Sequence, residues 1–485
     1  MTTTATTTET GPNTDGVGSP LTITEAAAAL RSGDVTAVEL AERSIARADW
    51  VDEAVGIYLA RFDEQMLEAA AETDAAFAAG SDPGPLAGIP LGVKDIITTR
   101  EGETTAQSLV LDRSWGAGDA VVVARLREAG ALISGKLTTM EFAAGVPDPE
   151  KPFPICRNPW NLDHWSGGSS SGTGSGIAAD VFPGGLGTDT GGSIRIPAIF
   201  CGVTGLMPTA GRVPKSGCVP LGYSLDHIGP LAHTARDCAL MLEALAGYDA
   251  SDATAIDVPV SDYVGALTGD LTGLTIGVDL TSGTAQAPYV DPRLEPLLRD
   301  AIDVLAARGA TLVEVTLPLY DEGISALWPI NAGESGAYHR PDAQSRLGDY
   351  TFGLRAQLAA GMLYTASDYV QAQRVRRVVQ KAIRDEVFTQ VDLVLTPSAF
   401  QGALALSDLT DELGNWIRAV NTPFWDVTGH PAVCVPIGFT DQGLPLSMQL
   451  AGRPFDEASV LRAADAYQQD TSWHLAVPDL AAAGS

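Results

Sequence analysis

Cysteine is scarce in this chain of 485 residues, which carries five scattered thiols at Cys156, Cys201, Cys218, Cys238 and Cys434. An odd set with no CxxC pair excludes a disulfide framework and a thiolate zinc site, and it reads as reduced thiols, so a cytoplasmic location is expected. Histidine is equally thin: the six, at His164, His227, His233, His339, His430 and His474, include no HExxH and no close pair. The commonest metal motifs are therefore missing, and neither a metal nor a cofactor is expected. No stretch approaches the roughly 20 apolar residues of a membrane span. The opening MTTTATTTETGPNTDGVGSP has no basic or apolar region of the kind a signal peptide needs. Residues 1–20 are expected to be a disordered, Thr-rich tail before one domain over 21–485. Basic residues are half as frequent as acidic ones, 30 against 60, for a net charge of −30. Such a charge disfavours nucleic acid and anionic membranes as partners and is expected to keep the protein soluble.

What the chain does have is glycine, and it is concentrated. Fourteen glycines fall between Gly167 and Gly217, where average usage of about 7% would give three or four. Backbone that must turn where side chains would obstruct usually serves a ligand or a reacting group. Two serine clusters lie in this region, Ser169–Ser171 and the turn Gly191-Gly192-Ser193. A serine hydroxyl is a poor nucleophile unless a base stands within hydrogen-bond reach and N–H groups face the developing oxyanion. Gly191 and Gly192 can offer such N–H groups. A base is available upstream, in Leu91-Gly92-Val93-Lys94-Asp95-Ile96-Ile97. Read as a short buried strand, this run forces Lys94 into low dielectric, which lowers an ammonium pKa from about 10.4 towards neutrality.

Rival motifs fail on context. Gly130 to Leu137, GALISGKL, is one residue short of a phosphate-binding P-loop, with Leu137 in place of the hydroxyl, and its Ala-Leu-Ile reads as a strand. Gly172-Thr173-Gly174-Ser175-Gly176 follows no buried strand, which a dinucleotide turn requires. His164 lies near the first serine cluster and is a rival base, but no acidic partner stands at a recognisable place to orient it.

Elsewhere the patterning alternates. Helices fit Leu21 to Asp49, broken at Ser32-Gly33 and reopened by a capping box at Thr36 and Glu39, then Asp63 to Ala79, Pro292 to Ala307 and Ala366 to Val387. Short apolar runs at Ala131–Ser134, Leu274–Val278, Thr311–Val315 and Leu393–Leu395 read as strands between them. The alternation favours an α/β fold with helices on both faces of a sheet.

The segments quoted above, with Gly187-Thr188-Asp189-Thr190-Gly191-Gly192-Ser193-Ile194-Arg195, Cys201 to Thr209, Ser224 to Pro230 and Gly452 to Glu457, resemble the amidase signature family over roughly Leu21 to Trp473. The resemblance implies one compact domain around a large, mixed, twisted sheet. It also implies a Ser-cisSer-Lys triad, with Ser193 as nucleophile, Ser169 as the bridging serine and Lys94 as base. Thr190, Gly191 and Gly192 would then contribute oxyanion N–H groups, through an acyl-enzyme. Two departures stand out: Ser171 replaces a glycine of the family's GGSSGG, and Trp165-Ser166 stands where Pro often precedes the glycines. The three consecutive serines leave Ser170 as an alternative bridge.

Within the resemblance, the expected activity is hydrolysis of a small carboxylic amide by a free-standing monomer or homodimer, needing only substrate and water. One alternative is the glutaminase subunit of a tRNA-dependent amidotransferase. That subunit typically carries an ARYDGVRYG run that grips glutamine, and Asn331 to Gly361 contains nothing like it. Another is a carbamate or ester hydrolase, since the same acyl-enzyme forms whichever group leaves. Met140–Pro149 and parts of Leu327–Tyr364 are expected to shape the pocket. There Trp328, Tyr338, Tyr350 and Phe352 would suit an aryl or bulky acyl group.

Overall fold

Two capping boxes launch the chain. Thr22 and Glu25 cap helix Ile23–Ser32, which ends on Gly33 at φ 77°, and Thr36 and Glu39 cap helix Ala37–Val55. The second helix outruns its expected end at Asp49 because Val51 and Val55 continue its buried face. A third, Asp63–Ala78, follows. The computed structural model describes residues 19–409 and 415–480. The expected disordered tail therefore lies, apart from its last two residues, outside the described residues.

Eleven strands form one sheet: β1 Tyr58–Arg61, β2 Pro90–Lys94, β3 Leu132–Leu137, β4 Gly184–Asp189, β5 Thr204–Met207, β6 His227–Ala232, β7 Thr275–Val278, β8 Thr311–Glu314, β9 Leu393–Pro397, β10 Ala432–Phe439 and β11 Pro445–Gly452. Their spatial order is β1-β3-β2-β4-β6-β5-β10-β11-β9-β7-β8. Pairings are parallel for β3-β2-β4 and for β9-β7-β8, and antiparallel across the middle. The sheet is thus mixed, as expected. Its central strands β2, β4, β5, β6, β9 and β11 are buried along their whole length, as strands covered on both faces must be.

The parallel pair β2-β4 determines where chemistry can occur. Leu91 pairs with Gly184 and Val93 with Leu186, so Lys94 at the end of β2 arrives beside the last residues of β4. Side chains at the carboxyl ends of adjacent parallel strands converge on a crevice outside the sheet edge. Helix Ser171–Ala178 packs against this pair, and small residues permit the approach: a Cβ on Gly185 would meet Gly92 O at 2.8 Å and Thr173 Cγ2 at 2.9 Å. The near-P-loop segment ends in strand β3, where Lys136 is buried against Asp95 at 3.0 Å and Ile97 O at 2.7 Å. No phosphate loop exists there.

One long helix, Tyr320–Arg346, gives little sign of itself in sequence because Pro329 and Pro341 lie inside it. Sequence rules treat such prolines as breaks. It carries helices Phe352–Leu363 and Ala366–Ala382 against one side, and a π-helical turn extends the latter through Val387. Among the described residues, no helix is long and apolar enough to cross a membrane.

Candidate active site

Lys94 is fully buried, and its Nζ donates to Ser169 Oγ at 2.6 Å and Thr188 Oγ1 at 2.7 Å. Among the described residues, no carboxylate is within ion-pair distance to compensate it. Burial therefore lowers its pKa from 10.5 to about 7, because the charged form loses its hydration. The neighbouring lysine, Lys136, meets the same low dielectric but has Asp95 beside it. Burial lowers the pKa of Lys136 as well, but there the Asp95 carboxylate opposes the shift, and Lys94 has no such partner among the described residues.

The three consecutive serines separate cleanly. Ser169 reaches Lys94, follows a cis Gly168–Ser169 peptide bond, and faces an open cavity. Ser170 turns the other way: its Oγ donates to Thr188 O and accepts from Thr188 N, both at 3.2 Å. Ser171 Oγ donates to Gly167 O at 2.7 Å, so the departure from the family's glycine closes the turn at the start of its helix. Ser193 lines the same cavity as Ser169, and Ser170 N donates to Ser193 O at 3.1 Å, which ties the two serine turns together.

Two carboxylates, the buried Asp189 and the half-buried Asp226, hold the second turn. Asp189, the last residue of β4, accepts from the N–H groups of Gly192, Ile194 and Arg195, while Asp226 accepts from Thr190 Oγ1 at 2.6 Å. Behind Asp189, Arg195 Nε lies 2.9 Å from Asp189 Oδ2 and its Nη2 2.5 Å from Asp426 Oδ2. Its Nη1 reaches Thr422 O and Gln449 Oε1 at 2.8 Å. Burial alone would push Asp189 up, but the Arg195 guanidinium outweighs it and holds that carboxyl below the usual range. Burial and the charge of Asp189 push Asp426 up. Arg195 is thus a buried ion-pair centre, consistent with its positioning the turn from behind. Gly192 has φ 125°, and a Cβ there would come within 2.0 Å of Thr422 Oγ1, so only glycine fits.

One expectation is corrected by this arrangement. Gly192 cannot offer its N–H to an oxyanion while Asp189 holds it. The N–H groups of Thr190, Gly191 and Ser193 have no protein acceptor among the described residues, and all three residues line the cavity. The rival base His164 is not brought to the serines: it sits on strand Asn161–Trp165, bridges to Ala405 and does not line the cavity.

The cavity, about 370 Å³, is walled by Ala143, Ala144, Val146, Ile196, Leu221, Leu327, Trp328, Tyr364, Trp416 and Ile417, together with Ser169 and Ser193. Of the four aromatic residues expected to suit a bulky acyl group, Trp328 alone lines it. Tyr350 is buried against His339, and Tyr338 and Phe352 are exposed. No Asp, Glu, Lys, Arg or His contributes to its wall among the described residues. Sequence reading assigned no role to Thr188, although it lies inside the quoted motif, and nothing in the local pattern could place Thr422, Asp426 and Gln449, which reach Arg195 from 227, 231 and 254 residues away.

Comparison with known proteins agrees with this architecture. A family model described as Amidase matches residues 39–461. The chain is 40% identical over 492 residues to a glutamyl-tRNA(Gln) amidotransferase subunit from Roseiflexus sp. (strain RS-1), covering 95% of this chain and 98% of that one. A solved structure from work on a vestigial protein complex and the evolutionary origins of an s-triazine catabolic enzyme is similar at 31% identity and TM-score 0.85, covering 93% and 98%. The native peptide amidase of Stenotrophomonas maltophilia is similar at 27% identity and TM-score 0.79, covering 93% and 96%.

Proposed function

The chain belongs to the amidase family, and from that membership we propose that it hydrolyses a carboxylic amide with an uncharged, largely apolar acyl group. The carrying observation is the pairing of a neutral-poised lysine relay with a cavity whose described wall bears no charged side chain. In the proposed cycle Ser193 Oγ attacks the amide carbon while its proton passes to Ser169 and the proton of Ser169 passes to Lys94. The N–H groups of Thr190, Gly191 and Ser193 are the donors available to the oxyanion. Collapse breaks the C–N bond, and the relay runs backwards to deliver the proton to the departing nitrogen. Water then repeats the sequence on the acyl-enzyme, releasing the carboxylic acid and restoring Ser193. Esters and carbamates form the same acyl-enzyme and fall within reach of the same groups.

A second reading is favoured by the relatives. Identity of 40% along nearly the whole of a protein named for amidotransferase activity supports glutamine as the amide donor, with ammonia passed to a partner. Glutamine brings an ammonium and a carboxylate, and burying either without a counter-charge is costly. The cavity wall supplies none among the described residues. That favours the first reading on physical grounds.

A panel of aliphatic amides, aryl amides, carbamates, p-nitrophenyl esters and glutamine, assayed with the pure chain, separates the two. Turnover of neutral amides by the chain alone is the expected result. Turnover of glutamine only, or only with added partner subunits, would establish the second reading instead.

A further inference from the structure

Arg376, on helix Ala366–Ala382, is a buried cation that the relay does not use. Among the described residues no carboxylate lies within ion-pair distance of it. Its guanidinium donates to uncharged oxygens: Nε to Val427 O at 2.7 Å, Nη1 to Ser224 Oγ and Nη2 to Ser224 O, both at 3.0 Å. These acceptors belong to two separate segments that hold the nucleophile turn. Val427 lies on helix Pro423–Thr428, and Thr422, the residue before that helix, donates its Oγ1 to Gly191 O at 2.9 Å. Ser224 lies in the bend 222–226, which Gly222 O closes by accepting from the N–H groups of Leu225 and Asp226, and Asp226 accepts from Thr190 Oγ1 at 2.6 Å. Glu334, on helix Tyr320–Arg346, holds the same bend: one oxygen accepts from Ser224 N and the other from Tyr369 Oη, both at 2.8 Å. Neither Arg376 nor Glu334 lines the cavity.

Burying a guanidinium without a counter-charge is costly, and methionine would pack a helix face without that cost. What arginine supplies instead is a planar, rigid fork of donors that reaches acceptors on two segments at once. Resting on the amide-hydrolase reading above, in which Thr190 and Gly191 offer N–H groups to the oxyanion, we propose that Arg376 is a positioning residue that sets the placement of those donors, with Glu334 supporting it. It touches neither substrate nor reacting atoms. It fixes Ser224 relative to Val427, so that Asp226 and Thr422 grip the turn at Thr190 and Gly191 with a constant separation. Oxyanion donors act on charge that develops only in the transition state. Loosening them therefore lowers kcat and leaves ground-state binding in the cavity nearly unchanged. Loss of one complete donor costs about 10²–10³ in kcat, and a donor that is present but loosely held costs less.

The test is a double-mutant cycle in kcat and KM on the best neutral amide of the panel. Arg376→Met should lower kcat about tenfold and leave KM within about twofold. Thr190→Val keeps the backbone N–H but removes the hydroxyl that Asp226 holds, and it should lower kcat to a similar degree. The double variant should fall little below the worse single one, because both changes release the same turn. Losses that multiply, or an Arg376→Met loss that falls on KM alone, would overturn the proposal. Glu334→Gln keeps the shape and one acceptor oxygen, and it serves if Arg376→Met does not fold. A kcat loss of about threefold at unchanged KM supports the assignment, and a kcat equal to wild type overturns it. A boronic acid carrying the same acyl chain reads the donors without turnover, since it forms a tetrahedral adduct on Ser193. Arg376→Met, or Glu334→Gln in its place, should weaken boronic acid binding by about the factor by which it lowers kcat. Equal affinity in variant and wild type would overturn the positioning role, whereas a wild type that turns over no neutral amide would count against the amide-hydrolase reading alone.

Discussion

At the scale of single residues, the three serines at 169–171 differ in what their hydroxyls touch, and the difference is measurable. Ser193→Ala should lower kcat by at least about 10³-fold with the fold intact. Ser169→Ala should approach that loss, because it cuts the contact to Lys94 Nζ. Ser170→Ala removes the two bonds that pin Thr188, so it should lower Tm more than it lowers kcat. Steady-state kinetics and thermal melts on the three variants check the assignment, and a larger kcat loss for Ser170→Ala would move the bridge to that residue.

Lys94 makes a second residue-level claim, in two forms. A base must be neutral to accept a proton, so kcat/KM should rise with pH along a limb near the lysine pKa of about 7 and level off above it. Arginine at this position should not rescue, since it cannot give up its proton. Stability should follow the same titration. Between about 7 and 10.5 the unfolded chain holds a proton on Lys94 that the folded chain does not, so stability climbs as pH rises through that window. Below it, the charged lysine is buried and the cost is fully present. Lys94→Met should flatten this climb in urea melts across pH, and a slope identical to wild type would mean that Lys94 is not desolvated.

At the scale of elements, the turn 189–193 works because Arg195 holds two carboxylates from beneath. Arg195→Met would leave Asp189 and Asp426 facing each other without a counter-ion. Breaking a buried pair in this way costs about 3–5 kcal/mol, so urea unfolding should show a loss of that order. A loss under about 1 kcal/mol would mean that the network is already compensated from elsewhere. Local elements of this kind were largely legible beforehand. The capping box at Thr36, the strands at β3, β7, β8 and β9, and the burial of Lys94 follow from patterns a few residues long. Ser169 was legible as the proposed bridge only through the resemblance, and contact with Lys94 is what distinguishes it from Ser170. Three things were not legible. The long helix over Tyr320–Arg346 hides behind its prolines, which tertiary packing tolerates. Gly192 reads as a free donor until Asp189 folds back under it. Asp426, Gln449 and Thr422 reach Arg195 only through the antiparallel centre of the sheet and the adjoining helix Pro423–Thr428, and no local rule brings such distant segments together.

At the scale of the whole molecule, charge is the property that no single contact explains. With 60 acidic against 30 basic residues, the folded chain concentrates its repulsion, and unfolding relieves it. Ion pairs oppose this, among them Arg31–Asp82, Arg61–Asp49 and Arg308–Asp470 at the surface. Exposed pairs contribute about 0–1 kcal/mol each and weaken in salt, and the buried Lys136–Asp95 and Arg195–Asp189 pairs are shielded from it. An excess of 30 like charges acts over the whole surface, and a Debye length falling from about 10 Å at 0.1 M to about 3 Å at 1 M removes most of that repulsion. Repulsion should therefore win over the surface pairs. Tm should rise as sodium chloride increases from about 0.02 to 1 M, with most of the gain at the low end where screening changes fastest. A Tm that falls over the same range would show that the surface ion pairs outweigh the net charge.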